Sequence, residues 1–265
     1  MERQVLCAEN GSTAHAVPEV LDDFFRSHPR VLLAFSGGTD SSYLLYAAKE
    51  CGADVVAYTA EGPFQPAFET HDAKVLAGSM DMEHRIIEVD PLSDPGIVAN
   101  GPDRCYLCKR MLFGTLRRLS DEMGRELIDA TNASDDPSGR PGMRALEELG
   151  VISPLRLCGI TKAMVRELSA KAGLPTAHIP SNSCLATRVR TGTPITADAL
   201  KRVEESEDAL RAMGLSGFRV RDRGESCILE VTDADKKRLD GIREDVEASL
   251  RKHYSVVTYG TRRQE

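Results

Sequence analysis

Val31-Leu32-Leu33-Ala34-Phe35-Ser36-Gly37-Gly38-Thr39-Asp40-Ser41-Ser42-Tyr43-Leu44-Leu45 is the stretch from which the fold can be read. The first five residues are an unbroken apolar run, the pattern of a buried strand. The residues after Ser41 place apolar side chains at helical spacing. Between them, two glycines let the backbone turn sharply and bring its N–H groups close to an anion. Asp40 and the serines stand where a helix begins and suit its capping positions. The unpaired first-turn N–H groups and the positive end of the helix dipole face the loop, which makes it a phosphate cradle. No lysine follows the glycines, so this is not the Gly-Lys-Ser/Thr type of loop. A bare strand-to-helix turn is the alternative that a lone Gly-Gly would support.

Outward from that stretch the pattern alternates. Strands are predicted at 31–35, 54–59, 84–89 and 126–130, with a weaker one near 151–153. Helices are predicted at 17–28, 41–50, 66–79, 106–122, 141–149 and 161–172. Such alternation predicts an α/β fold, a parallel sheet with helices on both faces, and places the ligand at the carboxyl ends of the strands. Near residue 175 the chain turns rich in Pro, Ser and Asn. Beyond this connection come a helix near 196–213, strands near 217–221 and 226–231, a helix near 233–252 and a strand near 254–259. The expected division is therefore 1–180 for the nucleotide domain and 181–265 for a small C-terminal α+β domain. The loop at 135–142 after the fourth strand reads as a lid.

The chain has 265 residues, no tryptophan and a formal net charge of −7. An acidic balance argues against a nucleic-acid backbone as partner, which needs clustered Lys and Arg. No apolar run is long enough to cross a bilayer, and the first residues lack a signal pattern, so a cytoplasmic protein is expected. Seven cysteines, at 7, 51, 105, 108, 158, 184 and 227, are then not expected to form a disulfide framework.

Cys105 and Cys108 open a predicted helix, one turn apart on one face. Cys184 lies in the connecting segment. Three thiols from two segments can hold a metal or a cluster. Zinc with a fourth ligand such as His178, a redox pair and three buried thiols are the other readings of such a set. Arg104, Lys109 and Arg188 neighbour these cysteines in sequence; they are expected either to favour the thiolate forms or to be solvated surface charges. With three protein ligands, one iron of a 4Fe-4S cluster would lack a protein ligand and could carry an extra sulfide.

The hexamer Ser36–Ser41 resembles the pyrophosphate loop, Ser-Gly-Gly-x-Asp-Ser, of the N-type ATP pyrophosphatases. Joined to Cys184-Leu185-Ala186-Thr187-Arg188, it makes the chain similar to the LarE family of ATP-dependent sulfur transferases, from about residue 20 to about 258. Asp129-Ala130-Thr131-Asn132, Arg140-Pro141-Gly142 and Phe218-Arg219-Val220-Arg221 belong to the same likeness. The resemblance implies an adenine nucleotide alpha hydrolase-like fold. It implies adenylation of a carboxylate of pyridinium-3,5-biscarboxylic acid mononucleotide and its conversion to a thiocarboxylate, a step in building a nickel-pincer nucleotide. Having Cys105, Cys108 and Cys184 together, the sequence resembles the branch with a 4Fe-4S cluster rather than the one that sacrifices a single cysteine.

By the same resemblance Ser36, Gly37, Gly38, Asp40 and Ser41 bind the ATP phosphates, with Mg²⁺ near Asp40. Asp129 and Asn132 stand near the reacting phosphate. Arg188, Arg219, Arg221 and Glu207 are expected at the substrate, and Cys184 at the sulfur step. A homo-oligomer is expected too. Val189-Arg190-Thr191-Gly192 stands where related chains carry an aromatic residue and a glycine. Amide formation, thiolation of a tRNA base and a non-catalytic nucleotide sensor are the rival activities for such a loop.

Overall fold

The computed structural model describes residues 16–136, 141–180 and 182–262. Cys7 and Arg140, with residues 137–140 of the expected lid loop, lie outside the described residues. The chain opens with α1 (Glu19–Ser27), β1 (Arg30–Ala34), α2 (Thr39–Glu50), β2 (Asp54–Glu61), α3 (Ala67–Ser79) and β3 (Glu83–Glu88). It continues through α4 (Pro95–Val98), α5 (Arg104–Glu122), β4 (Glu126–Ile128), α6 (Gly142–Glu148), α7 (Pro154–Leu157) and α8 (Lys162–Lys171).

The first sheet has the order β3-β2-β1-β4, with every pairing parallel. Alternation along β1 shows why both faces must be covered. Val31 and Leu33 point into one core with Leu44 of α2, Ala73 of α3 and Val165 of α8. Leu32 points the other way, into a core with Phe113 and Leu116 of α5 and Leu146 of α6. All three β1 side chains are fully buried. Each contributes about 2 kcal/mol by leaving water. The predicted fourth strand is short, and Ile152 joins it only through a single bridge to Ile128.

Beyond 3-10 turns at Pro175–His178 and Leu185–Arg188 come α9 (Ala197–Ala212), β5 (Phe218–Asp222), β6 (Ser226–Val231), α10 (Asp233–Gly241), α11 (Arg243–Leu250) and β7 (Val256–Thr261). The second sheet, β5-β6-β7, is mixed: β5 runs antiparallel to β6, and β7 parallel to it. Its core joins Val220 and Leu229 to Leu210, Val246 and Tyr254. The single helix expected over 233–252 is two. Ile242 leaves helical geometry at φ −129°, directly after Gly241, and separates α10 from α11. Glycine there offers the least resistance to a break.

A fourth apolar cluster ties the two halves together. Phe64 and Ile97 meet Leu185, Val189 and Ile195, and α9 adds Leu200 and Val203. The Cys184 segment is also hydrogen-bonded back, Leu185 N–H to the Phe64 carbonyl and Ile195 N–H to the Val98 carbonyl, each at 2.9 Å. Among the described residues no helix is long and apolar enough to cross a membrane.

Candidate active site

The loop between β1 and α2 sits at the carboxyl end of the parallel strands. Gly37 has φ +71°, a region that L side chains rarely adopt, and a Cβ there would stand 3.0 Å from that of Ala73 on α3. The serines brace the turn from inside. Ser41 Oγ accepts from Ser36 N–H at 3.3 Å and donates to the Gly38 carbonyl at 3.2 Å. Ser42 Oγ donates to the Gly37 carbonyl at 3.1 Å. Gly38 is the N-cap of α2 and makes no side-chain cap, so the first-turn N–H groups stay available to an anion.

Asp40 lies between two partners that sequence spacing does not reveal. Its Oδ2 meets Lys162 Nζ at 2.5 Å, and its Oδ1 faces Asn132 Nδ2 at 3.5 Å. Lys162 opens α8, where Thr161 caps the helix by accepting from Met164 N–H. Asp129 is 5% exposed and has both oxygens filled, by Thr131 Oγ1 at 2.5 Å and Ser153 Oγ at 2.6 Å. Asn132 is held by the Asp135 carboxylate and by Ser134 N–H.

The three cysteines come from two segments. Cys105 and Cys108 lie in the first two turns of α5. Cys108 and Cys184 pack against the same apolar cluster. Burial, with Cys184 and Cys105 close by, pushes the Cys108 thiol up to about 12. Burial also raises Cys184, while the Arg104 guanidinium opposes that rise. Arg104 links the two segments: it donates to Asn100 Oδ1 at 2.7 Å, to the Ala186 carbonyl at 3.1 Å and to Cys105 Sγ at 3.3 Å.

Among the described residues no three His, Cys, Asp or Glu side chains converge on a point that would hold a metal ion. His178 is exposed and does not join the cysteines in such a group. The donor set still fits an iron–sulfur cluster in kind: three thiols from two segments, within one another's electrostatic reach, beside a guanidinium.

Arg188 and Glu207, both expected at the substrate, hold each other. The pair is bidentate, at 2.8 and 2.9 Å, and both side chains are buried. Arg188 also donates to the Ser183 carbonyl at 2.7 Å, and Glu207 accepts from Val220 N–H at 2.9 Å. The pair thus fastens the segment carrying Cys184 to α9 and β5. Arg221 bonds Glu230 at 2.9 Å and the Thr187 carbonyl at 2.8 Å, and Arg219 is buried beside it on the strand.

A cavity of about 590 Å³ lies between the phosphate loop and Cys184, and Cys105, Cys108, Arg188, Glu207, Arg219 and Arg221 are not among the residues that line it. Ser36–Asp40 line one part of it, Cys184 another, and α3 forms a wall through Phe68, Glu69 and Asp72. Lys162 and Thr176 complete the lining near the loop. Lys162 and Glu69 are the site residues that motif reading misses. Neither stands in a recognisable string, and each reaches the cavity only through tertiary packing.

A glycine turn feeding a Ser/Asp-rich helix start at the carboxyl edge of a parallel sheet is an anion-binding arrangement and the architecture of a PP-loop α/β fold. No protein-family model matches the chain. It is 37% identical over 205 residues to an uncharacterised protein of Synechocystis, covering 77% of this chain and 76% of that one. It is 31% identical over 208 residues to the pyridinium-3,5-bisthiocarboxylic acid mononucleotide synthase of Lactiplantibacillus plantarum, covering 77% of this chain and 75% of the synthase. A tRNA-cytidine(32) 2-sulfurtransferase of Chromobacterium violaceum is 31% identical over a shorter span, 46% of this chain and 41% of that enzyme. The chain belongs to the family of the Lactiplantibacillus synthase, within the PP-loop ATP pyrophosphatase sulfurtransferases.

Proposed function

We propose that this protein is an AMP- and pyrophosphate-forming sulfurtransferase that acts on a carboxylate of a small nucleotide, pyridinium-3,5-biscarboxylic acid mononucleotide or a near analogue. The observation that carries this reading is one cavity whose wall includes both the Ser36–Asp40 loop and Cys184. A nucleotide activated at the first can be met by sulfur at the second without crossing solvent.

In the first half-reaction a substrate carboxylate oxygen attacks the α phosphorus of ATP. The bridging P–O bond breaks, and pyrophosphate leaves with the electron pair. The N–H groups at the start of α2 and the Lys162 ammonium face the phosphates and stabilise the charge that develops. Asp40 is the residue that would carry Mg²⁺, which neutralises phosphate oxygens when bound. Asn132 steadies Asp40, and Asp129, locked by two hydroxyls, fixes the end of β4 beside it.

In the second half-reaction sulfur attacks the acyl carbon, and AMP departs with the electron pair of the broken C–O bond. The sulfur is either a sulfide held at the Cys105, Cys108 and Cys184 thiolates or that of Cys184 itself, in which case its Cβ–S bond breaks with loss of the α proton and the residue is left as dehydroalanine. Cys105, Cys108 and Cys184 would hold a 4Fe-4S cluster, which supplies a replaceable sulfide when present. Arg188 acts here through position, by fixing the carbonyls on either side of the Cys184 peptide. On the same family reading the protein works in the cytoplasm as a homo-oligomer. Cys184 in the cavity wall favours sulfur transfer over amide formation, for which the cysteine would be incidental.

The test is to incubate protein, ATP, Mg²⁺ and the dicarboxylate nucleotide under anaerobic conditions. Acid-dependent pyrophosphate release together with a product that has exchanged oxygen for sulfur is expected. Stable binding of uncleaved ATP would overturn the reading.

A further inference from the structure

The cavity has an odd charge balance for a site that takes ATP. Its lining holds three carboxylates, Asp40, Glu69 and Asp72, against one ammonium, Lys162. A triphosphate adds negative charge rather than removing it. Asp40 already has Lys162 as its partner. Glu69 and Asp72 stand three apart on α3 and so share one face.

Glu69 is held without a cation of its own. Its Oε2 accepts from Gln65 Nε2 at 3.2 Å, the Asn182 side chain stands within hydrogen-bonding reach of the carboxyl, and its buried Oε1 has no partner at full hydrogen-bond geometry among the described residues. The guanidiniums near it are committed elsewhere. Arg188 is paired with Glu207. Arg211 is bonded to Asp208 and stacked 3.8 Å over the Phe68 ring. Burial pushes the Glu69 carboxyl up to about 7, against the pull of Arg188, Arg211 and the Asn182 side chain and with Glu207 adding to the rise. A buried carboxylate lacking a counter-ion is costly, and a cation bound beside it removes that cost. The walls next to it are apolar and suit a flat ring: Phe68, Val75, Leu76 and Ile179 line the same cavity.

We propose that Glu69, assisted by Asp72, is a specificity-determining residue that supplies the counter-charge to a cationic N-ribosyl pyridinium ring bound between α3 and the Pro175–Pro180 segment. The inference rests on the sulfurtransferase reading for the class of molecule and adds the residue that recognises its charge. Neutral rings of the same size are then discriminated against by the missing Coulomb attraction and by the carboxyl left unpaired.

Two probes differing in ring charge test this: nicotinate mononucleotide, whose ring is cationic, and its 1,4-dihydro form, whose ring is neutral. Binding to the full chain is measured by titration calorimetry. The native protein should prefer the cationic probe by about tenfold, the scale of one desolvated charge contact. Glu69→Gln should weaken only the cationic probe and bring the two affinities within about twofold, the same charge contact being lost. Equal affinities in the native protein, an undiminished preference in Glu69→Gln, or no binding of either probe would each overturn the proposal. Should Glu69→Gln fail to fold, Asp72→Asn at its exposed position carries the test, with a partial loss of preference expected and an unchanged preference overturning it. Pyrophosphate release is scored in a separate assay, so failure of the ATP chemistry is told apart from failure of ring recognition.

Discussion

Glu207 receives two bonds from the Arg188 guanidinium and a third from Val220 N–H, inside the junction between α9, β5 and the Cys184 segment. Removing one member of such a pair strands the other charge without water. Glu207→Ala is expected to lower unfolding stability by about 3–5 kcal/mol, read by urea titration. Because Arg188 also grips the Ser183 carbonyl, the same variant should lose thiolated product more than pyrophosphate release. Glu69 gives a second residue-level prediction. Its carboxyl lies near 4.5 in the ordinary state and is raised to about 7 on folding. Between those values the unfolded chain gives up a proton that the folded chain keeps, so rising pH favours unfolding. Native stability should fall as pH rises through that window, and Glu69→Gln should flatten the fall. An identical pH slope in the variant would contradict the burial assigned to Glu69.

At the scale of elements, the phosphate loop depends on a close approach of α3 to the turn. Gly37→Ala forces a side chain into a left-handed conformation and against Ala73. The expected cost is about 1–2 kcal/mol in stability from the backbone alone. Pyrophosphate release should drop by about tenfold or more, since misplaced catalytic groups lose rate steeply. Release at the native rate would show that the turn is not the ATP site.

The strands at β1, β2 and β3 and the loop after β1 were legible because each is encoded locally, by an apolar run or by glycines next to capping residues. The break in the 233–252 helix was hidden because one glycine in a charged helical pattern does not by itself announce a stop. The meeting of Lys162 with Asp40 spans 122 positions, and no local signal records it. Glu69 was equally silent. α3 carries polar residues around much of its surface, and only tertiary packing tells which of them a distant segment covers. The pairing of Arg188 with Glu207 was invisible for the same reason, although both residues stood out one at a time.

For the whole molecule, the Cys184 segment is the piece that joins the two halves. It is packed under Phe64 and Ile97 from one side and under α9 from the other, and it closes the cavity that the phosphate loop opens. The two parallel-sheet cores and the mixed-sheet core are otherwise separate. Cys184→Ala removes a sulfur at this junction while leaving the apolar cluster nearly intact, so its thermal midpoint should stay within a few degrees of native. Arg104→Ala should weaken metal or sulfide retention in anaerobically prepared protein, measured as iron and sulfide per chain, because it frees the α5 start from the Ala186 carbonyl.

The most direct measurement follows both half-reactions in one vessel, with native protein and Cys184→Ala compared under anaerobic conditions. Pyrophosphate should appear with both proteins when the dicarboxylate nucleotide is present, and the oxygen-for-sulfur product with the native protein alone. Equal yields of sulfur-bearing product from the two proteins, or no pyrophosphate from either, would contradict a cavity shared by nucleotide activation and sulfur delivery.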